Sequence, residues 1–150
     1  MIFAHLEEAE LINTHLEGAL LSDAHLEGAC LGLAHLEGAL LFDTHLAGAE
    51  LATAKISPDT RLENVDWGNY VLGDERKGWF LTSSDVYRRL KIWYHNAGMY
   101  DIAGEFFFRE MTVKRKALKP WPNPLPRAWS KFLSLICGYG ERPLRVFHGV

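Results

Sequence analysis

The first third of the chain repeats with a period of five residues. Between residues 4 and 56, a small residue is followed two places later by a large aliphatic one, eleven times in register. The small residues are Ala4, Ala9, Thr14, Ala19, Ala24, Ala29, Ala34, Ala39, Thr44, Ala49 and Ala54, and the large ones are Leu6, Leu11, Leu16, Leu21, Leu26, Leu31, Leu36, Leu41, Leu46, Leu51 and Ile56. A short fixed period predicts one structural unit stacked many times, with a core between neighbouring units.

A period of five fits neither an amphipathic helix nor a flat strand. On a helix, a leucine every five residues would advance by about 500° and form no stripe. On a strand, successive leucines would alternate between the two faces, because five is odd. The period fits a chain that turns a corner every five residues and sends one leucine and one small residue inward. Corners tolerate unusual backbone angles best at glycine, and glycine recurs at the last repeat place: Gly18, Gly28, Gly38 and Gly48.

The repeated units resemble a known family. Units such as Ala24-His25-Leu26-Glu27-Gly28 are similar to pentapeptide repeats, commonly written A(D/N)LXX, although none of the eleven has Asp or Asn before its large residue. The resemblance implies a right-handed quadrilateral β-helix with four repeats per coil, and therefore nearly three coils here. We predict a mainly β chain, with this β-helix over residues 1–70 followed by a C-terminal α-helical hairpin and a short third helix.

A second rhythm, of ten residues, runs along the outward positions. Each histidine of this rhythm precedes a leucine, and a glutamate follows most of those leucines: His5, His15, His25, His35 and His45, with Glu7, Glu17, Glu27 and Glu37. In a four-sided coil, residues twenty apart stack, which predicts two histidine columns on opposite faces. Zinc needs converging ligands, whereas stacked imidazoles point the same way from parallel rungs. We therefore predict a solvated His and Glu surface with a weak pH response and no metal-binding residue.

The other two faces of the predicted coil are less polar. Leu20, Leu40 and Phe42 belong on one of them, and Ile12, Cys30 and Leu33 on its opposite. Leu20 and Leu40 would stack beside Phe42 and form a small contact patch. Self-association and contact with the C-terminal part of the same chain both remain open as uses of this patch.

Charge divides the chain. Residues 1–60 hold ten acidic residues and one lysine, whereas residues 61–150 hold fifteen basic and nine acidic residues. From Arg109 onward, the chain contains nine basic residues and only two acidic ones, Glu110 and Glu141. This asymmetry bears on partners and orientation rather than on fold.

The five-residue rhythm stops at Ser57-Pro58, because proline removes a ladder donor. Val65 and Trp67 keep the two-apart spacing, so we predict one degenerate repeat that plugs the end of the core. Residues 71–82, which include a run of turn residues, are predicted to be a linker.

The periodicity becomes helical at residue 83, and we predict a helical hairpin over residues 83–119. Ser83 or Ser84 is the expected N-cap of the first helix, and Asp101 that of the second. The predicted buried faces contain Val86, Leu90, Trp93 and Tyr94 on the first helix, and Ile102, Phe106, Met111 and Val113 on the second. Residues 120–150 are predicted to be a Pro-rich spacer and a basic tail, with a short helix over residues 127–136.

This C-terminal part has a resemblance of its own. It is similar to the juxtamembrane region of pentapeptide-repeat membrane proteins, some of them ion-channel-like, in the segments Tyr87-Arg-Arg-Leu-Lys-Ile-Trp-Tyr-His-Asn-Ala-Gly98, Ala103-Gly-Glu-Phe-Phe-Phe-Arg-Glu-Met111 and Gly138-Tyr-Gly-Glu-Arg-Pro143. In those proteins a cytoplasmic repeat region and a hairpin precede membrane helices. No run of 18 apolar residues occurs in this chain. We expect it to be part of a longer protein.

Catalytic motifs are missing from the sequence. It contains no P-loop, no Gly-x-Ser-x-Gly and no cysteine pair with ligand spacing. Cys30 and Cys137 are far apart and no signal peptide is visible, which indicates a reduced cytosolic setting. We predict that the protein is not an enzyme, has no catalytic or cofactor-binding residue and needs no cofactor.

Two functional classes follow from these observations. The first is a scaffold or protein-interaction domain at the cytoplasmic face of a bacterial membrane protein, with its basic tail on anionic lipid. Its expected partners are another protein or a second copy, a homodimer being one outcome, with no direct contact to nucleic acid. The alternative is a DNA mimic or inhibitor that acts on an enzyme such as DNA gyrase. Downstream apolar segments of about 20 residues would identify the first class.

Overall fold

A computed structural model of the chain describes residues 3–118 together with Ala128 and Phe132. The chain folds as two compact units, Met1–Trp79 and Phe80–Val150. We call them the repeat unit and the helical unit. Apart from Ala128 and Phe132, the predicted third helix at residues 127–136 and the predicted spacer and tail over residues 120–150 lie outside the described residues.

The repeat unit is a coil in which residues twenty apart are neighbours. Parallel bridges join His5 to His25, Glu10 to Cys30 and Leu20 to Leu40, and further bridges repeat this spacing. The prediction of four repeats per turn is therefore confirmed. Each bridge is isolated, and residues 3–118 contain no continuous strand, so the β-helix assignment is not confirmed. A corner every five residues leaves sides too short for a longer ladder.

The corners place one residue of each repeat in the left-handed backbone region. Their φ angles lie between 55° and 72°. From residue 8 to residue 53 these residues are Glu8, Asn13, Gly18, Asp23, Gly28, Leu33, Gly38, Asp43, Gly48 and Thr53. Asn, Asp and Gly tolerate this region well, but Glu8, Leu33 and Thr53 are costly there. The corner geometry thus overrides local preference at three repeats.

Leucine and the small residues fill the interior of the coil. Leu21, Leu26 and Leu31 are fully buried, as are Ala24 and Ala29 between them. This confirms the inward assignment for the middle of the array. Leu6, Leu11 and Ile56 are only partly buried. For Leu6 and Leu11 the reason is that they belong to the first coil, which has a neighbouring coil on one side only within the described residues.

A one-residue insertion interrupts the period after Ile56. The bridges from Leu40 to Arg61 and from His45 to Asp66 span twenty-one residues instead of twenty. Thr60 takes the small inward position, and its hydroxyl donates to the carbonyl of Leu36 at 2.7 Å.

Two repeats follow the insertion, whereas the sequence predicted one. Thr60 and Leu62 form the first, and Val65 and Trp67 the second, and all four are buried. The first of these repeats was not predicted for two reasons. Threonine replaces alanine at its small position, and the extra residue at position 58 or 59 shifts it out of register.

A single helical turn closes the last coil. Helix α1, Gly73–Arg76, lies within the segment predicted to be a linker. The N–H of Gly73 donates to the carbonyl of Ala49 at 2.9 Å, and a Cβ at position 73 would lie 2.6 Å from the carbonyl oxygen of Gly48. Only glycine permits this approach. Residues 73–76 thus form a helical turn within the predicted linker and make hydrogen bonds that a further coil would otherwise make.

The helical unit is an antiparallel hairpin. Helix α2, Phe80–Asn96, and helix α3, Tyr100–Ala117, pack along their lengths. Tyr94 stacks on Phe106 with ring centroids 5.6 Å apart. Helix α2 ends at Asn96, because Gly98 turns the chain with a φ of 78° and the N–H of Met99 donates to the carbonyl of Tyr94.

The helix starts differ from the predictions. Helix α2 begins three residues earlier, at Phe80, and Ser83 and Ser84 are buried within it instead of capping it. Helix α3 begins at Tyr100, so Asp101 lies in its first turn, where it favours the helix dipole without acting as N-cap. Among the described residues, no helix is both long and apolar enough to cross a membrane.

The buried faces of the hairpin include Tyr87 and Glu110, which the sequence did not predict to be buried. Tyr87 is fully buried on α2, and Glu110 is 1% exposed on α3. Glu110 accepts hydrogen bonds from Lys91 Nζ at 2.8 Å and from Lys114 Nζ. Trp93, Ile102 and Met111, which were predicted to be buried, are partly exposed. Two lysine partners allow a carboxylate to occupy a position expected for an apolar residue.

Candidate functional site

The outward histidines form the two predicted columns. The rings of His5 and His25 lie 5.1 Å apart and those of His25 and His45 lie 4.6 Å apart, both nearly parallel. On the second column the rings of His15 and His35 lie 4.7 Å apart and are tilted by 34°. The twenty-residue bridges position these rings, because each column joins the same place of successive coils. Lys55 follows His35 in the second column.

Three of these histidines hydrogen-bond to the glutamate two residues later. The Nδ1 to Oε1 distances are 2.9 Å for His5 and Glu7, 2.9 Å for His15 and Glu17, and 3.0 Å for His25 and Glu27. The leucine between the two members points inward, so both flanking side chains lie on the same outer face. The repeat itself therefore generates these pairs.

One glutamate is shared between rungs. Glu17 Oε1 lies 2.9 Å from Nδ1 of His15 and 3.2 Å from Nδ1 of His35. Glu37 Oε2 lies 3.8 Å from Nδ1 of His35, and this buried oxygen accepts no hydrogen bond. Two imidazole nitrogens and two carboxylates therefore face one another on this face. The sequence predicted the histidine columns but not this shared carboxylate, although stacking of residues twenty apart already places Glu17 on the coil next to that of His35.

In the first column, which contains His5, His25 and His45, the histidines do not share a carboxylate in this way. His45 Nδ1 contacts Asp66 Oδ2 at 3.2 Å, whereas His25 Nδ1 contacts Glu27. Ligand atoms of His25, Glu27 and His45 also lie within 4.8 Å of one another. Here, however, the two histidines hydrogen-bond to separate carboxylates, and no oxygen is shared at hydrogen-bond distance.

The pairs shift the pKa of several groups. The hydrogen bond to Glu27 raises the pKa of His25 above its ordinary 6.5. The hydrogen bond to His5 lowers the pKa of Glu7 below its ordinary 4.5, and the bond to His15 acts in the same way on Glu17. The pairs thus favour charged carboxylates and, at His25, a charged imidazole.

The remaining faces carry no assembled catalytic group among the described residues. Cys30 lies between Glu10 and Glu50 in its column, and burial, assisted by Glu50, raises the pKa of its thiol. Such a thiol is a poor nucleophile. On the opposite column Leu20 and Leu40 are bridged, and the guanidinium of Arg61 lies 5.3 Å from the ring centre of Phe42.

The helical unit contains an open cavity of about 570 Å³ between its two helices. Lys91, Ile92, His95, Tyr100 and Phe107 contribute to its lining. The ammonium of Lys91 is already engaged with Glu110 and lies 5.2 Å from the ring centre of Phe107. The Lys91 ammonium, a polar group of this cavity, is therefore already used in the packing of the two helices.

Comparison with known proteins agrees with the repeat geometry. The family model described as "Pentapeptide repeats" matches residues 1–38 and 19–57, with eight copies. No curated protein matches the chain. A solved pentapeptide repeat protein from the thylakoid lumen of Arabidopsis thaliana is 25% identical over 43% of this chain, with a TM-score of 0.23. The match spans about half of that protein, 48%, and a TM-score this low does not establish a common fold. Residues 1–57 are therefore similar to pentapeptide repeats.

Proposed function

We propose that the chain is a non-catalytic scaffold that binds a protein partner or a second copy of itself. We further propose that it forms the cytoplasmic part of a bacterial, channel-like membrane protein. The repeat unit supports a binding role, because its interior is filled by leucine and small residues and its outward residues stand in regular columns. Repeat surfaces of this kind serve as extended binding faces.

The proposal includes the architecture of the repeat unit. Four repeats per turn, single-residue parallel bridges and one left-handed corner in each repeat are what a right-handed quadrilateral β-helix requires. This architecture gives a rigid support for side chains on four faces, and rigidity reduces the ordering cost of binding.

The uneven distribution of charge carries the membrane part of the proposal. Residues 1–60 hold ten acidic residues and one lysine, whereas nine basic residues and two acidic ones follow from Arg109 onward. Three of those basic residues, Lys114, Arg115 and Lys116, end helix α3. A basic segment is attracted to an anionic inner leaflet by about 1 kcal/mol per residue near the surface, while the acidic repeat unit is repelled. The juxtamembrane resemblance of residues 87–143 points the same way.

The alternative is a DNA mimic that inhibits an enzyme such as DNA gyrase. The acidic repeat unit favours it, because a mimic needs a regular array of negative charge. Glu7, Glu17 and Glu27, however, each hydrogen-bond to a histidine, so their carboxylates share the surface with imidazole rings and do not form an uninterrupted acidic array. We therefore prefer the scaffold.

Vesicle binding tests the membrane proposal. The full chain should bind vesicles that contain phosphatidylserine at low salt and should dissociate as salt rises, because exposed charges are screened within about 10 Å at 0.1 M. Replacing Arg127, Lys131, Arg142 and Arg145 by Gln should weaken binding at least about a hundredfold. The matched control replaces Lys55, Arg61, Arg76 and Arg88 by Gln, which changes the net charge equally, and should bind as the wild type does.

Two outcomes would contradict this proposal. One is that the full chain ignores anionic vesicles at low salt, and the other is that the control variant loses binding as much as the tail variant. Inhibition of gyrase supercoiling by the chain, abolished when Glu8 and Glu10 are replaced by Gln, would instead establish the alternative.

A further inference from the structure

We propose that His15, Glu17 and His35 bind a divalent transition-metal ion of the Zn²⁺ class, with Glu37 as a fourth donor. This site lies on the outer face of the repeat unit and is independent of the proposed membrane role. The sequence alone predicts no such site, because stacked imidazoles on parallel rungs point the same way. The structure differs in that a carboxylate joins the two rungs.

The distances between donor atoms suit a metal ion. Ligands about 2.0–2.2 Å from zinc, at angles between about 90° and 109°, lie about 2.9–3.4 Å from one another. Glu17 Oε1 lies 2.9 Å from Nδ1 of His15 and 3.2 Å from Nδ1 of His35. The ligand atoms of all three residues lie within 4.8 Å of one another. Small rotations of the side chains bring the three donors around one ion.

The charge and the burial of the donors agree with a dication. Two neutral imidazoles and two carboxylates supply a net charge of about −2. Glu37 Oε2 is buried, lies 3.8 Å from Nδ1 of His35 and has no hydrogen-bond partner. Burial of an unpaired carboxylate oxygen is costly, and a cation would compensate it.

The donor types indicate which ions fit. Imidazole suits zinc, copper and nickel, whereas magnesium and calcium prefer sites made of oxygen alone. His15 is 73% exposed and His35 is 20% exposed in their side chains. The ion therefore enters from solvent on the His15 side, where water can complete its coordination.

The first column of histidines supplies a matched control. His5 and Glu7 occupy the same repeat places as His15 and Glu17, ten residues earlier, and pair at the same distance of 2.9 Å. Among the described residues, they do not form a three-ligand group with His25. The His5–Glu7 pair thus has the same geometry as the His15–Glu17 pair. The two differ in that Glu17 also contacts a second imidazole, that of His35.

Calorimetric titration of the full chain, without a polyhistidine tag, with Zn²⁺ tests the proposal. Loss of a group that merely supports a ligand costs about 10–100-fold in metal affinity, so Glu17→Gln and His35→Asn should each weaken binding at least about tenfold. Glu7→Gln and His5→Asn should leave the affinity unchanged. Circular dichroism of each variant checks that the repeat unit remains folded.

Long-range ¹H–¹⁵N spectra of the histidine side chains provide a second readout. Zn²⁺ should shift the Nδ1 signals of His15 and His35, because these atoms face Glu17. Three results would overturn the proposal: no saturable Zn²⁺ binding, equal weakening by the control variants, or loss of binding in His45→Asn with none in His35→Asn. The last result would place the ion in the other column.

Discussion

The side-chain carboxylate of Asp74 accepts a hydrogen bond from the backbone N–H of Leu51, with Oδ2 2.8 Å from the nitrogen. Asp74 is fully buried in the first turn of α1, and Leu51 belongs to the third coil. The bond satisfies a donor that a next coil would otherwise pair. Helix α1 therefore supplies, at the end of the array, hydrogen-bond partners for the backbone of the last coil, as each coil does for the coil before it.

The first prediction concerns this bond. Asp74→Ala should destabilise the chain by about 1–3 kcal/mol, because it leaves the Leu51 N–H buried without an acceptor. Asp74→Asn keeps an acceptor oxygen and should cost less than Asp74→Ala. Urea unfolding measures both, and Asp59→Ala, at an exposed position, is the control. Equal stability of Asp74→Ala and the control would contradict the role of Asp74.

A second prediction concerns the pH dependence of Asp74→Asn. Burial raises the pKa of Asp74 above its ordinary 3.8, although the bond to Leu51 opposes this shift. A carboxyl with a raised pKa in the folded state stabilises the fold below 3.8 and loses that contribution as the pH rises through the folded pKa. The stability difference between Asp74→Asn and the wild type should therefore move in favour of the variant between acidic and neutral pH. A difference that does not change over this interval would count against the raised pKa.

The sequence could predict the coil but not its closure. A leucine every five residues dictates which side chains point inward, and twenty-residue stacking then places the histidine columns. Closure by α1 depends instead on hydrogen bonds between the backbone of Ala49 and Leu51 and the residues Gly73 and Asp74. These residues are more than twenty positions apart, so no local sequence pattern predicts the contact. Local preference even pointed the other way, because Gly73-Asp-Glu-Arg76 reads as a turn.

Charged residues explain the other differences. Glu110 occupies a buried position of α3 because Lys91 and Lys114 neutralise it, and the pair with Lys91 crosses the hairpin. Glu17 contacts His35 across two coils. Both relationships join residues eighteen or nineteen apart, whereas sequence patterns report on spacing within one element.

The third prediction tests the inward and outward assignment. Leu26 is fully buried between coils, so Leu26→Asp should unfold the repeat unit, because a charge enters a dry core. Leu26→Ala should cost about 2–5 kcal/mol. His25→Asn changes the adjacent outward residue and should alter stability by no more than about 1 kcal/mol. Thermal unfolding followed by circular dichroism measures all three, and equal damage from Leu26→Ala and His25→Asn would refute the assignment.

The fourth prediction concerns pH and the first histidine column. The raised pKa of His25 means that protonated His25 stabilises the fold below pH 6.5 and that this contribution is lost as the pH rises through its folded pKa. The lowered pKa of Glu7 has the opposite consequence, a loss of stability as the pH falls below 4.5. In buffers that contain a chelator, the melting temperature should decline on both sides of this interval. His25→Asn should flatten the alkaline decline, and Glu7→Gln the acidic one. Unchanged slopes in both variants would show that neither pair contributes.

The last prediction concerns the buried carboxylate of the hairpin. Burial alone would raise the pKa of Glu110, but hydrogen bonds from Lys114 and Lys91 hold it below its ordinary 4.5. Lys91→Met removes one partner and should destabilise the chain by about 1–3 kcal/mol. The triple variant Lys91→Met, Glu110→Leu, Lys114→Met removes both the charges and the need for partners.

This triple variant should be at least as stable as Lys91→Met alone and within about 1 kcal/mol of the wild type, since replacing a buried ion pair by apolar residues is often neutral or stabilising. Urea unfolding at neutral pH compares the three proteins. The pH dependence provides the control: the contribution of Glu110 is present above 4.5 and is lost as the pH falls, so acid should narrow the difference between wild type and Lys91→Met. A triple variant less stable than Lys91→Met would contradict this prediction. It would mean that the charged groups themselves stabilise the packing of α2 against α3 more than apolar residues can.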